Sequence, residues 1–144
     1  MFSYRHAYHA GNHADVLKHM TLVACLNHMG QKDTGFTVVD THAGIGTYRL
    51  DQEQARTSGE SLDGVVKLAA ALNGKKDLPA LLQSYLDLVR SFNSGAQIKH
   101  YPGSPWVANS LLRPLDMLML FEVHPSDARL LERHVAGLGK GRQV

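Results

Sequence analysis

The 144 residues, 44% hydrophobic and 19% charged, suit one globular domain with a real core and leave no room for two. No apolar run approaches the roughly 20 residues of a membrane-spanning helix, and the polar, histidine-rich start "MFSYRHAYHAGNHAD" lacks the apolar centre of a signal peptide. A net charge of +2 with scattered Lys and Arg permits a nucleic-acid partner without arguing for one, while a lone cysteine excludes an intrachain disulfide and fits a reducing cytoplasm.

Residues 1–11 read as an extended arm. Asn12 can cap a helix whose apolar positions Val16, Met20, Val23 and Leu26 recur at three- and four-residue spacing, with Cys25 expected as a buried helical thiol and Gly30 as the stop. "FTVVD" predicts a fully buried strand, because it shows no polar alternation. "LDQEQARTSGES" is polar and irregular, and "LDGVVKLAAALNG" has helical spacing at Leu62, Val65, Val66, Ala69 and Leu72. "DLPALLQSYLDLVRSFNSG" is the clearest helix: Asp77 is its expected cap, Pro79 suits its first turn, Leu81, Leu82, Tyr85, Leu88, Val89 and Phe92 form the inward stripe, and Gly95 stops it.

In "YPGSPWVANSLLRP", Ser104 is the expected cap and Pro105 the first helical residue. A second strand is predicted over Met117–Val123, then a helix in "SDARLLERHVAG"; "KGRQV" looks like the approach to a third strand. Strands alternating with helices argue for a parallel sheet covered on both faces, and two strands alone would leave an open edge, so the chain reads as the front half of a larger domain.

In open parallel sheets, ligands lie beyond the carboxyl ends of the strands, where "DTHAGIG" falls. Gly44 and Gly46 clear side chains from a tight turn, and a following helix N-terminus would offer N–H groups to an anion. The stretch is neither a P-loop nor a full G-x-G-x-x-G, since Arg49 stands at the third glycine position. Glu122, at the end of the next strong apolar run, could accept both hydroxyls of a ribose; alternatively it is a strand-end charge facing water. It lies far beyond the ~20-residue interval of dinucleotide folds, which an insertion of helices over about residues 50–103 would explain. His6, His9, His13 and His19 lack a zinc-site pattern, and capping, packing or ligand contacts account for them better than a metal. These features alone define a nucleoside-cofactor α/β domain.

Four motifs in order, "MFSYRHAYHAGNHADVLKH", "DTHAGIGTY", "YPGSP" and "EVHPSD", resemble the N-terminal half of the bacterial 23S rRNA adenine-N6 methyltransferase family, which also carries an older label concerning use of external DNA as a nutrient. The resemblance implies an α/β, Rossmann-like, S-adenosylmethionine-dependent fold, truncated, with residues 1–49 and 104–144 forming half of the methyltransferase domain and 50–103 a helical insertion. It implies that Lys18, His19, His42, Gly44 and Ser104 surround the cofactor and that Glu122 takes its ribose hydroxyls. Tyr4 and His6, with help from Lys18, would face the target adenine. The implied partner is 23S rRNA, in the cytoplasm, with neither membrane nor metal and a monomeric state expected. Read without the family, Tyr4 is a packed arm residue, although its ring could stack on an unpaired base.

The family's Asp/Asn-Pro-Pro-Tyr/Phe segment, whose acid and carbonyl accept the N–H bonds of the amino group, has no counterpart, since no two of the five prolines adjoin. Neither is the family's acidic residue after the third strand found. Adenine N6 is a poor nucleophile, so positioning and electrostatics carry such a reaction, and the 144 residues alone are expected to be catalytically silent. A DNA adenine-N6 methyltransferase and a non-enzymatic nucleic-acid-binding protein linked to external DNA are the alternative readings.

Overall fold

A computed structural model describes residues 5–138 and 142–144, and for 142 and 143 the backbone alone. After a 3-10 turn at His6–Tyr8, the elements are α1 (His13–Met29), β1 (Thr37–Asp40), β2 (Thr47–Arg49), α2 (Glu53–Ser58), α3 (Glu60–Asp63) and α4 (Val65–Ala71). There follow α5 (Ala80–Ser91), β3 (His100–Pro102), α6 (Ser104–Leu111), β4 (Met117–Leu120), α7 (Pro125–Val135) and β5 (Arg142–Gln143). Among the described residues β1, β4 and β5 form a parallel sheet in the order β1-β4-β5, and β2 pairs with β3. The result is a mixed α/β fold around a small parallel sheet. The chain divides into two compact units, Leu22–Thr47 with Pro102–Val144 and Met1–Thr21 with Tyr48–Tyr101.

The first of these, the sheet unit, is built on the parallel pairing Val38↔Leu118 and Asp40↔Leu120. Leu118 and Leu120 join Leu26, Ala108, Leu131 and Val135 in one apolar cluster, with Leu22, Val38 and Leu111 packed against it. Each fully buried leucine contributes about 1.5–3 kcal/mol. The Arg113 guanidinium grips Asp116 through two hydrogen bonds of 2.9 Å and donates to the carbonyls of Gly30, Lys32 and Thr34, while Asp116 accepts the Phe36 N–H. This clamp fixes the turn before β1 against the start of β4, and so the register of the pair.

Several expectations change here. The stretch "FTVVD" is not fully buried: exposure alternates along β1, and Val39 is 54% exposed because only one face of the β1–β4 pair meets the cluster among the described residues. The second strand ends at Leu120, leaving Glu122 in the loop beyond it. A short third strand does form, with Arg142 and Gln143 beside Leu118 and Met119. Cys25 is exposed, because Val23 and Leu26 take the inward face of α1 and leave position 25 rotated toward solvent. Ser104 is the first residue of α6 rather than its cap, a place Gly103 takes with extended backbone.

In the helical unit, Asn12 caps α1 as predicted: its Oδ1 accepts the Asp15 N–H at 2.9 Å. The polar stretch after β2 is helical as α2, closed by Gly59 in the left-handed conformation. The single helix expected around "LDGVV" is broken at Gly64. A Cβ there would lie 2.1 Å from the Gly11 carbonyl oxygen, which accepts the Val65 N–H at 2.8 Å. Leu62, expected inward, is 64% exposed as a result. Asp77 does not cap α5 but adopts a left-handed φ of 62°, and Pro79 holds the N-cap place. Tyr85, Leu86 and Val89 are the buried stripe of α5. Asn93 ends it, its side chain bonding Val89 and His100 carbonyls and the Lys99 and His100 N–H groups. No helix among the described residues is long and apolar enough to cross a membrane.

Candidate cofactor site and a polar cluster on the first helix

In the sheet unit the glycine turn and Glu122 meet. The β1–β4 ladder runs on past both strands, with Phe121 N–H on the Asp40 carbonyl at 2.8 Å and Ala43 N–H on the Phe121 carbonyl at 3.0 Å. This brings Gly44 N–H to Glu122 Oε2 at 3.0 Å across 78 residues of sequence. Oε1 accepts the His124 N–H at 2.7 Å. Each carboxylate oxygen is therefore tethered by one backbone amide and keeps a second lone pair.

Gly44 and Gly46 have φ of 59° and 83°, the left-handed conformation expected of glycine in such a turn. A Cβ on Gly46 would stand 3.3 Å from Leu131 Cδ1, so the turn packs directly on α7. The His134 ring donates through Nδ1 to the Ile45 carbonyl. The Gly103 N–H donates to the Gly46 carbonyl at 2.8 Å, which sets Ser104 beside the turn. His42 has its Nδ1 2.9 Å from Thr41 Oγ1, and its N–H reaches Asp40 Oδ1 at 3.1 Å. The other oxygen, Asp40 Oδ2, is buried with no hydrogen-bond partner among the described residues. No helix N-terminus follows the turn; Thr47 and Tyr48 enter β2 instead, as a β-branched and an aromatic residue favour.

In the helical unit, His6, Lys18 and His19 lie along α1 and the turn before it, whereas Tyr4 lies outside the described residues. Their centre is Asp15, 1% exposed, which the sequence reading missed. Asp15 Oδ2 accepts the His6 Nε2–H at 2.8 Å and the Gly11 N–H at 3.0 Å, and Oδ1 pairs with Lys18 Nζ at 2.9 Å. Burial pushes the Asp15 carboxyl up, but the His6 hydrogen bond and charge, with the Lys18 hydrogen bond, outweigh it and hold the group well below the usual carboxylate range. His6 also meets the Tyr48 ring edge-on at 5.2 Å. A second acid, Glu60, accepts from the His9 ring and from Asn12 Nδ2, tying the turn before α1 to α3. His19, 7% exposed, stacks on Tyr101 and has Nδ1 2.9 Å from its hydroxyl.

The signal that could have found Asp15 was helical phase. Asp15, His19, Val23 and Leu26 are the buried residues of α1, a stripe at four- and three-residue spacing whose first half is polar. A search for apolar periodicity reads only the second half.

This arrangement stands in a known family. The family model described as Ribosomal RNA large subunit methyltransferase D, RlmJ, matches residues 33–142, and the chain belongs to that family. Ribosomal RNA large subunit methyltransferase J of Escherichia coli (strain K12) is 47% identical over 131 residues, covering 91% of this chain and 45% of that protein. The protein of the same name from Haemophilus influenzae (strain ATCC 51907 / DSM 11121 / KW20 / Rd) is 40% identical over 135 residues, with 93% and 47% covered. A crystal structure of protein LPL1258 from Legionella pneumophila str. Philadelphia 1 superposes with a TM-score of 0.79 at 32% identity, over 94% of this chain and 47% of that one. The resemblance carried by the four motifs is thereby borne out. The chain spans about half the length of the curated relatives it matches.

Proposed function

We propose that the chain forms the cofactor-holding part of an S-adenosylmethionine-dependent, Rossmann-like methyltransferase that methylates N6 of an adenine in 23S rRNA. In this reading residues 50–103 are a helical insertion in the domain formed by 1–49 and 104–144. The observation that carries it is the meeting of Gly44 N–H and Glu122 at the carboxyl ends of two neighbouring parallel strands. The residues fit a nucleoside: among the described residues Glu122 keeps a free lone pair on each oxygen for a pair of ribose hydroxyls, and Asp40 Oδ2 is a buried acceptor still without a donor. The names of the curated relatives support rRNA as the substrate.

The cofactor would supply an electrophilic methyl group. Glu122 orients the ribose, while Gly44, His42 and Ser104 line the bend beside it. The family resemblance assigns Lys18 and His19 to the cofactor as well. It assigns Tyr4 and His6 to the adenine, and Asp15 holds His6 and Lys18 in place. Positioning is what such a site contributes, because the amine is a weak nucleophile.

Turnover is assigned to a protein of the relatives' length, which would add the acid that accepts the N6–H bonds. Two measurements test this. Calorimetric titration should show S-adenosylmethionine binding to the 144-residue chain, and labelled methyl transfer to unmodified 23S rRNA should occur with the full-length Escherichia coli relative and not with the chain. A chain that does not bind the cofactor refutes the site. Transfer by the chain itself refutes the division of labour, and transfer to DNA in preference to rRNA changes the substrate.

A further inference from the structure

In the helical unit, the loop that leads from α5 into β3 is built around one side chain. Asn93 Nδ2 donates to the Val89 and His100 carbonyls, both at 2.9 Å, and its Oδ1 accepts the Lys99 and His100 N–H groups at 2.8 and 2.9 Å. Both hydrogens and both lone pairs of the amide are used in this way, so its part is to fix the loop. Ile98 and Tyr101 are buried, and Lys99 and His100 between them stand in solvent.

A cavity of about 330 Å³ opens over this loop, a volume at the lower end of ligand sites (roughly 300–1,000 Å³). Its wall carries the Lys99 ammonium, a His100 ring N–H, the Gln97 amide and the Ser94 hydroxyl, and among the described residues no acid. The backbone N–H groups of Ser94, Gly95, Ala96 and Gln97 have no acceptor among the described residues. One acid, Asp51, lies within electrostatic reach of His100, and its carboxylate is taken up by Arg49 at 2.8 and 3.0 Å. A wall rich in donors and positive in charge is the complement of an anion: successive backbone N–H groups cradle phosphates, and a lysine serves them as a point charge. No Phe, Tyr or Trp stands in that wall to stack on a base, so the cavity suits a phosphate group rather than a nucleobase.

We infer that this cavity is a phosphate site, which takes a backbone phosphate of the RNA substrate and fixes the strand on the helical unit. The phosphate chemistry stands on the loop itself; RNA as its source rests on the proposed function. Contacts of this kind position a strand without reading its sequence.

Gly95 offers a clean probe, because a Cβ added there meets nothing within 4 Å. Gly95→Asp sets a negative charge in the wall without a clash, and Gly95→Ala is its uncharged control. Amide NMR of the chain titrated with inorganic phosphate, against chloride at equal ionic strength, should move the signals of residues 94–100; Gly95→Asp should abolish the response and Gly95→Ala keep it. Fluorescence anisotropy with a labelled single-stranded RNA should show affinity about fivefold weaker in Lys99→Ala, with the slope of log affinity against log salt shallower by about 0.7. Gly95→Asp should weaken RNA binding likewise, and Gly95→Ala should not. A wild-type chain without a phosphate-specific response overturns the site. A phosphate response with RNA affinity unchanged in Lys99→Ala and Gly95→Asp upholds the site and overturns its RNA source. RNA binding that responds as expected, beside a full-length relative that transfers no methyl group, upholds this site and refutes the proposed function instead.

Discussion

Under the proposed function, the single side chain of Glu122 serves both the fold and a ligand. Its two oxygens hold the backbone of the glycine turn and of the loop after β4. Glu122→Ala leaves both amides without their acceptor, and should cost about 1–3 kcal/mol of stability. It should also lower S-adenosylmethionine affinity at least tenfold; calorimetry and urea unfolding on the same samples measure the two effects. An Ala variant that binds like the wild type would remove Glu122 from the site. Much at this scale was legible in the sequence. An acid at the end of an apolar run and a Gly-x-Gly turn after another are patterns that strand ends produce, and they do meet. The buried polar contacts of Asp15, Tyr101 and Asp40 were not legible. Asp15 occupies a helix phase that a search for apolar stripes skips, and the Tyr101–His19 contact joins positions 82 residues apart with no local signature.

Among the elements, the break between α3 and α4 makes the clearest prediction. Gly64 lies where the backbone of Gly11 and Asn12 passes, with the Asn12 carbonyl carbon 2.6 Å from a would-be Cβ. Gly64→Ala should therefore destabilise the chain by about 1–3 kcal/mol or more, since rigid backbone cannot yield as a side chain can. Urea midpoints would register this, and an unchanged midpoint would mean that α3–α4 does not pack on the turn before α1 as described. The sequence showed helical periodicity on both sides of Gly64 but not the break, because the reason for the break is a chain segment some fifty residues earlier in sequence. The N-cap of α1 was legible for the opposite reason: Asn12 and Asp15 lie within one turn. So were α5, α7 and the two longer strands. β2 was missed as a strand because its three residues are held by pairing with β3, far off in sequence.

Across the whole molecule, each unit has a buried aspartate held in its charged form. Asp15 is lowered against its burial by His6 and Lys18, and Asp116 by the Arg113 hydrogen bonds above all. A carboxyl whose folded pKa lies below its unfolded value of about 3.9 stabilises the fold fully above that pH and loses this contribution as the pH falls toward the folded value. The urea midpoint should therefore hold level from neutrality to about pH 5 and fall below about pH 4. Asp116→Asn should be less stable at neutral pH and show a shallower acid decline. A wild-type midpoint that stays flat through pH 3 would contradict this. The parallel sheet was foreseeable from the alternation of strands and helices, whereas its one covered face was not, since cover depends on which helices fold back onto it. Because amides from two loops already grip the Glu122 carboxylate, a guest bound as proposed would meet an acceptor pair fixed beforehand, and its cost there would be the shedding of water.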